Sequence, residues 1–369
     1  MLSRTRQRTS SQKALSLPPD TELVGLVFDV VPAGNSIVFP EYTKGLHAWF
    51  LDQVRQSNPE LSAYLHDGES EKPFTISRLS GEFLNTGKHL HLSSTSEYRW
   101  YLSVLSSQVT QWLSSWLENL PSIIDLRSAP LQIKSVNFAH PPTTYAKLLR
   151  KRVQKTISLN FISPTSFRRK GHHFPLPLPF NIFQSYLRRW NDFSGNPVKH
   201  RDFLEWVDSN IIIISHQLST TKVAAGKRGS VTGFTGVVEF GFSKDASNTP
   251  NYVKLVNALS QLAPYCGTGH KTTFGLGQTR LGEKSTQRNS LSTSETVLAK
   301  RISQLTDILM SKQKRTGGDR AISVCQKRAV ILARREMGES LADIATDLEI
   351  PYETVKTYAK LARRVLRGE

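Results

Sequence analysis

The sequence predicts an α+β protein with two tandem ferredoxin-like domains, followed by an all-α domain that resembles a helix-turn-helix unit. The main observation is that hydrophobic periodicity gives the element order βαββαβ twice before residue 283. A second observation is that every periodic segment after residue 296 has the spacing of a helix. We therefore place the domains at 21–148, 149–282 and 297–369.

In the first predicted domain, two amphipathic helices alternate with four strands. The helix over 41–56 carries Leu46, Trp49 and Phe50 on one side, and the helix over 108–120 carries a similar apolar face. The strands are predicted at 23–31, 73–79, 98–105 and 131–138. This split βαβ order places both helices on one side of an antiparallel sheet.

The second predicted domain repeats this order. Its helices are predicted at 180–190 and 251–263, and its strands at 157–162, 211–222, 231–242 and 278–281. A loop at 223–230, with glycine and basic residues, joins the two middle strands. Two such domains side by side would form a cleft suited to an extended ligand.

A glycine-rich segment, PYCGTGHKTTFGLGQTRL at 264–281, separates the last helix from the last strand. Its spacing, G-x-G, five residues, G-x-G, differs from the dinucleotide-binding and P-loop fingerprints. Exposed amides and cations in such a loop are suited to following a phosphodiester chain. The residues that we predict to do so are Gly267, Gly269, His270, Lys271, Gly275, Gly277 and Arg280.

The composition favours a polyanionic partner. The 369 residues include 48 Lys and Arg against 30 Asp and Glu, giving a net charge of +18 and a pI near 9.9. Nucleic acid is the first candidate and an anionic membrane surface the second. No run approaches the roughly 18 apolar residues of a membrane span, and the N-terminus lacks a secretory core. We expect a cytoplasmic protein without a membrane partner.

No metal or cofactor is predicted. Cys266 and Cys325 are the only cysteines, which is too few for a thiolate metal site or a disulfide framework. His89 and His91 alternate in a strand-like segment, but no acidic or cysteine residue lies nearby at ligand spacing.

Two segments are predicted to lack regular structure. Residues 1–20 form a basic tail with a disordered composition, and residues 283–296 form a polar linker. The linker separates the ferredoxin-like domains from the helical domain.

The last domain contains helices at 297–311, 321–336, 341–348 and 352–366. The final pair is similar to the helix-turn-helix of sigma-factor and response-regulator DNA-binding domains. We predict that Lys356, Lys360 and Arg363 contact DNA or RNA. Such turns often have glycine where this chain has Glu349, so an ordinary helical bundle is the alternative.

Several pieces in this order resemble the CRISPR-associated (Cas) endoribonuclease six family of the RAMP superfamily, whose domains are ferredoxin-like and RRM-like. The resemblance covers about 22–282, outside the helical domain. The pieces are the strand at 23–31, YTKGLHAWFLDQV, LHDGESEKPFTISRL, FISPTSFRRKGHHFPLPLPFNIFQSYLRRWN, VTGFTGVVEFGF and the glycine-rich loop GTGHKTTFGLG. It implies metal-independent cleavage of CRISPR repeat RNA, the precursor crRNA. In that reaction a 2′-hydroxyl attacks its own phosphate and leaves a 2′,3′-cyclic phosphate and a 5′-hydroxyl.

The resemblance also implies site residues. His47 matches the family's catalytic histidine, with Lys44 as an electrostatic helper and Tyr42 as a further partner. From the residues alone, His47 lies at the edge of an apolar helix face, which favours a partly buried structural histidine, and the resemblance reverses that preference. The segment Arg168, Arg169 and Lys170 is predicted to contact RNA, and a solvated basic loop is the alternative.

Other functions stay open at this stage. One alternative is a non-catalytic RNA-binding subunit that assembles with other Cas proteins in an effector complex. Another is a helix-turn-helix DNA-binding regulator. If it is the enzyme, we expect the glycine-rich loop to hold phosphates away from the reacting bond. Bulky substitution at Gly275 or Gly277 would then weaken RNA binding more than it alters the chemical step.

Overall fold

The computed structural model describes residues 15–39, 42–66, 71–85, 90–126, 129–224, 230–282, 294–312 and 318–367. They belong to two compact units, Met1–Lys284 and Ser285–Glu369. None of the helices in these ranges is long and apolar enough to cross a membrane.

The predicted tail and linker lie largely outside the described residues. Residues 15–20 of the tail are described, and they contact the first domain. Leu17 is buried in its core, and the Asp20 carboxylate lies 2.9 Å from the Lys147 ammonium. The disorder predicted for 1–20 therefore does not extend to its last six residues.

The first domain is built on a five-stranded antiparallel sheet. Its elements in chain order are β1 (Leu23–Pro32), β2 (Ser36–Val38), α1 (Thr43–Ser57), α2 (Pro59–His66), β3 (Phe74–Ile76), β4 (Leu84–Asn85), β5 (Leu90–Leu92), β6 (Tyr98–Val104), α3 (Ser107–Glu118), β7 (Ile123–Ile124), β8 (Leu131–Thr143) and α4 (Tyr145–Arg150). The sheet order is β3-β6-β1-β8-β7, and β2, β5 and β4 form a small separate sheet. The order of the four predicted strands is that of a ferredoxin-like domain, which confirms the predicted fold class.

Aromatic side chains hold the two helices of this domain to the sheet. Trp49 of α1 and Trp116 of α3 contact each other edge-on, with ring centroids 6.0 Å apart. Trp49 also meets Trp100 of β6 at 5.8 Å, and Trp116 meets Phe28 of β1 at 6.1 Å. Each such pair adds about 0.5–1.5 kcal/mol beyond the burial of its area. Helix α1 is therefore fixed on the sheet, which matters because it carries His47.

The second domain has the same topology. Its elements are β9 (Thr156–Thr165), β10 (Phe167–Arg169), β11 (His172–Phe174), α5 (Pro179–Phe193), α6 (His200–Asn210), β12 (Ile211–Ala224), β13 (Ser230–Phe242), α7 (Pro250–Cys266) and β14 (Thr279–Leu281). The sheet order is β12-β13-β9-β14, and β10 and β11 form a separate hairpin. Helix α6 was not predicted, because its apolar positions run directly into the apolar start of β12.

Tyr265, near the end of α7, connects the two domains. Its hydroxyl donates to the Pro141 carbonyl in β8 at 2.8 Å, and its own carbonyl accepts from the Thr75 hydroxyl in β3 at 3.1 Å. The part of the glycine-rich segment that follows α7 is thereby brought against the first domain.

The second unit is all-helical. It contains α8 (Ser294–Ser311), α9 (Gly318–Glu336), α10 (Leu341–Asp347) and α11 (Tyr352–Arg367). Buried Ile331, Ile344, Val355 and Ala359 form a core among α9, α10 and α11. Glu349, between α10 and α11, has φ 52°, so the turn uses the left-handed conformation although the residue is not glycine.

Candidate active site

His47 lies in α1, where the glycine-rich segment crosses the first domain. Its Nδ1–H donates to the Thr273 carbonyl at 3.0 Å, and its ring stacks on Phe274 with centroids 4.4 Å apart. A carbonyl can only accept, so Nδ1 carries a proton and Nε2 is the nitrogen available for proton transfer. Thr273 and Phe274 thus fix both the tautomer and the plane of the ring.

The surroundings of His47 favour its neutral form. Burial is the main cause that lowers its pKa below the ordinary value for histidine, and the positive charges of His66 and Lys72 lower it further. The hydrogen bond to Thr273 opposes these effects. A neutral imidazole with one free nitrogen is suited to accept a proton at neutral pH.

A cleft of about 580 Å³ reaches Thr273, the residue bonded to His47, and both cations and the acidic residues Glu71 and Asp192 line it. Thr273, which holds His47, lines it together with Lys72, Lys271 and other side chains from α5 and the glycine-rich segment. The Lys72 ammonium is buried and makes no hydrogen bond with the described residues. Burial, followed by the charges of Arg168 and Lys44, lowers the pKa of Lys271. These cations are suited to a phosphate or another anion.

Arg189 in α5 lines the cleft and stabilises the segment beside it. The side chain is 5% exposed, and its guanidinium donates to the Ser185 carbonyl, the Gly269 carbonyl at 3.1 Å and the Thr272 hydroxyl at 3.3 Å. Arg188, its exposed neighbour, pairs with Glu71 at 3.0 Å. Sequence reasoning missed Arg188, Arg189 and Lys72, and the only signal was the adjacent pair of arginines on an otherwise amphipathic helix.

The glycines of the segment serve close packing of the backbone. Gly267, Gly269, Gly275 and Gly277 all have φ between 64° and 81° and are buried. A Cβ at Gly277 would collide with the Thr268 carbonyl, and one at Gly275 would lie 2.9 Å from the Arg78 amide nitrogen in the first domain. Glycine is required at such positions because both the conformation and the space exclude a side chain.

The phosphate clamp of backbone amides stays a prediction, and several of these amides already have partners within the protein. The Thr268 amide donates to the Gly277 carbonyl, the Gly269 amide to the Ser185 hydroxyl and the Gly277 amide to the Pro164 carbonyl. These donors are satisfied within the protein. Thr273 and Phe274 contact His47 directly, so the segment lies against this histidine and not opposite it.

The structure separates the two predicted partners of His47. Tyr42 precedes α1 and is buried, and its hydroxyl accepts from the Leu79 amide at 2.9 Å. Burial raises the pKa of this hydroxyl, so it stays protonated at neutral pH. Lys44 is exposed on α1 and close enough to Lys271 to lower its pKa, which places it at the cleft.

The predicted basic segment forms the β10–β11 hairpin. Arg168 and Arg169 are exposed in β10, and Lys170 is the first residue of the turn, with φ 48°. His173 of the hairpin stacks on His270 at 5.3 Å. Burial is the main cause that lowers the pKa of His270, with contributions from His173, Lys271 and Arg168. The hairpin is therefore next to the cleft.

Arg280 lies elsewhere. Its guanidinium is 5.5 Å from the centre of the Tyr101 ring and borders a second cleft of about 570 Å³. His140 lines the same cleft, and burial, aided by Arg280, lowers its pKa to about 4. The two clefts share no lining residue, and Arg280 lines only the second.

Two ferredoxin-like domains, joined so that a glycine-rich segment of the second holds a histidine of the first, define a tandem protein of the RAMP class. The model of the CRISPR Cas6 N-terminal domain matches residues 24–149, and that of CRISPR-associated endoribonuclease Cas6 matches residues 159–279. Together they span about two thirds of the chain. The chain belongs to the Cas6 family.

Individual relatives are distant. A CRISPR-associated endoribonuclease Cas6 from Streptococcus thermophilus is 27% identical over 132 residues, which are 36% of this chain and 52% of the relative. One from Mycobacterium tuberculosis is 20% identical over 199 residues, 51% of this chain and 60% of the relative. The chain thus spans little more than half the length of these curated relatives.

Solved structures match over about 70% of the chain. A Cas6 product complex superposes with a TM-score of 0.55 and 25% identity, over 71% of this chain and 99% of that chain. A second Cas6 product complex has a TM-score of 0.59 and 23% identity, over 70% of this chain and 100% of the other. The family match ends at residue 279, before the helical unit.

Proposed function

We propose that this protein is a cytoplasmic endoribonuclease that cleaves CRISPR repeat RNA without a metal ion. The observation that carries the proposal is the setting of His47, whose tautomer is fixed by Thr273 beside a cleft lined by lysines. The family membership supports it, because the named relatives are Cas6 endoribonucleases.

In the proposed reaction, His47 is the general base. Its Nε2 accepts the proton of the 2′-hydroxyl, whose oxygen attacks the adjacent phosphorus. The bond from phosphorus to the 5′-oxygen then breaks, leaving a 2′,3′-cyclic phosphate. The departing oxygen takes a proton and becomes a 5′-hydroxyl. Lys271 is the proposed donor, because an ammonium with a lowered pKa releases its proton more readily.

The remaining cations bind the RNA backbone in this proposal. Lys72 and Lys44 offset the charge that develops on phosphorus. His270 and the hairpin residues Arg168, Arg169 and Lys170 hold neighbouring phosphates. Gly267, Gly269, Gly275 and Gly277 shape the segment and do not contact RNA.

Labelled repeat RNA incubated with the protein in EDTA tests the proposal. We expect cleavage that yields a cyclic phosphate, that is lost with His47→Ala, and that persists in a control, His216→Ala, at an exposed position of β12. Both variants should still bind the RNA. A repeat with 2′-deoxyribose at the nucleotide before the scissile bond should bind and stay intact.

Two results would reject the enzyme. One is binding without cleavage at every pH from about 6 to 8, which indicates an RNA-binding subunit. The other is cleavage of the 2′-deoxy substrate, which excludes attack by the 2′-hydroxyl.

A further inference from the structure

The helical unit presents a basic surface that the proposed RNA cleavage does not use. On α11 the exposed residues recur at helical spacing and form one face, which we call the α11 outer face. Its members are Tyr352, Glu353, Lys356, Thr357, Lys360, Arg363 and Arg364. The opposite side of α11 is buried, with Val355, Ala359 and Ala362 in the core.

The scaffold holds α11 in a defined position. The Arg334 guanidinium in α9 lies 2.6 Å from Glu339 and 2.5 Å from Asp347, so it ties α9 to the end of α10. The Ser340 hydroxyl caps α10 by accepting from the Asp343 amide at 3.0 Å. The left-handed turn at Glu349 then leads into α11.

Charge is distributed unevenly between this scaffold and the α11 outer face. In the scaffold, Glu339, between α9 and α10, and Asp347, at the end of α10, are both paired with Arg334. On the outer face, Glu353 lies 3.4 Å from Lys356. Lys360, Arg363 and Arg364 make no ion pair with the residues that the structure describes. The face therefore carries uncompensated positive charge and is complementary to a polyanion.

The shape of this face selects among polyanions. From Tyr352 to Arg364 it extends about 18 Å along a helix about 10–12 Å wide. The major groove of B-form DNA is about 12 Å wide and admits a helix. The major groove of an RNA duplex is deep and narrow, and side chains cannot read it.

We propose that α10 and α11 form a helix-turn-helix that binds duplex DNA, with α11 in the major groove. Tyr352, Lys356 and Thr357, near the start of α11, face base edges, as the first residues of a recognition helix do. Lys360, Arg363 and Arg364 contact phosphates. This is a binding function separate from the RNA site in the first unit.

The test uses the full chain and a pool of 30-base-pair duplexes with random sequence. Bound DNA is recovered, amplified and sequenced, and affinity is measured by fluorescence anisotropy at several salt concentrations. We expect the pool to be enriched in a motif and duplex DNA to bind more tightly than duplex RNA of the same length.

Single-charge variants locate the contact. Lys360→Gln and Arg363→Gln should each lower the DNA affinity several-fold and reduce the slope of log K against log salt by about 0.9. Lys327→Gln is the matched control, because it removes one exposed charge from α9 of the same unit. Thr357→Ala should change the enriched motif and leave the salt slope unchanged.

Thermal unfolding and repeat RNA cleavage are recorded for every variant. All should melt and cleave like the parent chain, so that failure here is distinguishable from failure of the proposed enzyme. The proposal is overturned if Lys360→Gln and Arg363→Gln bind DNA as Lys327→Gln does. An unenriched pool, or tighter binding of duplex RNA, overturns it as well.

Discussion

At the scale of single residues, the proposed reaction makes the protonation of His47 set the pH dependence of cleavage. A general base works when it is neutral, so the rate should fall as the pH falls through the pKa of the folded protein. Because burial lowers this pKa, the acidic limb should lie below about pH 6.5, the ordinary value for histidine. Single-turnover cleavage between about pH 4.5 and 8 measures it.

Phe274→Ala should move the acidic limb of the pH–rate profile to higher pH. Without the stacked ring, water reaches the His47 imidazole and its pKa rises. Phe138→Ala is the matched control, since both phenylalanines are 37% exposed and Phe138 is in β8. An acidic limb that stays in place in Phe274→Ala would show that the stacking ring does not control the pKa.

Lys72 is a residue of the candidate site whose buried ammonium lowers the stability of the folded protein. A buried donor without a partner costs about 1–3 kcal/mol, and the Lys72 ammonium has none among the described residues. We therefore expect Lys72→Met to raise the free energy of unfolding by about 1 kcal/mol, measured in urea. The same change should slow cleavage about 10²-fold, because a cation near the phosphate is lost.

The exposed residue Lys222 provides the control. Lys222→Met should change neither the stability nor the cleavage rate appreciably. If Lys72→Met lowers the stability instead, the ammonium has a stabilising partner, and the conflict between stability and function does not exist at this residue.

Residue patterns predicted only part of the site. His47 was identified through the resemblance, whereas its spacing alone left a structural role open. Arg189 was not identifiable, because its meaning comes from contacts with Gly269 and Thr272, which lie about 80 positions further along the chain. The prediction for Tyr42 rested on its closeness to His47 in sequence, and its hydroxyl accepts from the Leu79 amide.

At the scale of elements, the glycine-rich segment should control the chemical step. Gly277→Ala would force Cβ into the Thr268 carbonyl at a φ of 69°, so the segment must shift. Because the segment carries Thr273 and Phe274, we expect the single-turnover rate to fall more than 10-fold while RNA affinity changes less. This reverses the expectation from sequence, in which the loop was a phosphate clamp.

Gly195→Ala is the control that introduces backbone strain without a steric collision. Gly195 has φ 70°, and no atom lies within 4 Å of the position of its Cβ. This variant should lose about 1 kcal/mol of stability and keep its cleavage rate. If Gly277→Ala and Gly195→Ala cleave at equal rates, the glycine-rich segment does not position His47.

The elements that the sequence predicted are those with strong local periodicity. The predicted strand at 23–31 is β1, Leu23–Pro32, and the predicted helix at 180–190 lies within α5. The β2 and β4 strands were missed, because strands of two or three residues have too little local periodicity, and both exist only through pairing with β5, the segment described as strand-like. The β10–β11 hairpin pairs two neighbouring segments, and it was missed because each strand has only three residues.

At the scale of the whole molecule, the two units differ in what the sequence could establish. The order of strands in both sheets follows from the βαββαβ pattern, because few topologies satisfy it. The contact between His47 and Thr273, 226 positions apart, depends on how the domains dock, and periodicity carries no information about docking. Composition did indicate the partner class, since the charge of +18 belongs to the chain as a whole.

This charge also predicts how the enzyme turns over. Cleavage alters one phosphodiester and leaves the other phosphates intact, so the cations that bind the repeat RNA bind its product nearly as well. At low salt we expect a burst of one turnover followed by slow product release. Raising the salt from about 50 to 200 mM should speed the steady-state rate, because counterion effects weaken product binding.

The single-turnover rate at saturating protein should stay nearly constant over the same range, because it does not include release. A short RNA with only a few phosphates around the scissile bond is the control, since its product makes few ionic contacts and should leave without a burst. Steady-state cleavage of the repeat that slows as salt rises would contradict this mechanism. RNA association or the chemical step would then limit turnover. The positive charge would then speed binding of the RNA substrate without slowing release of the product.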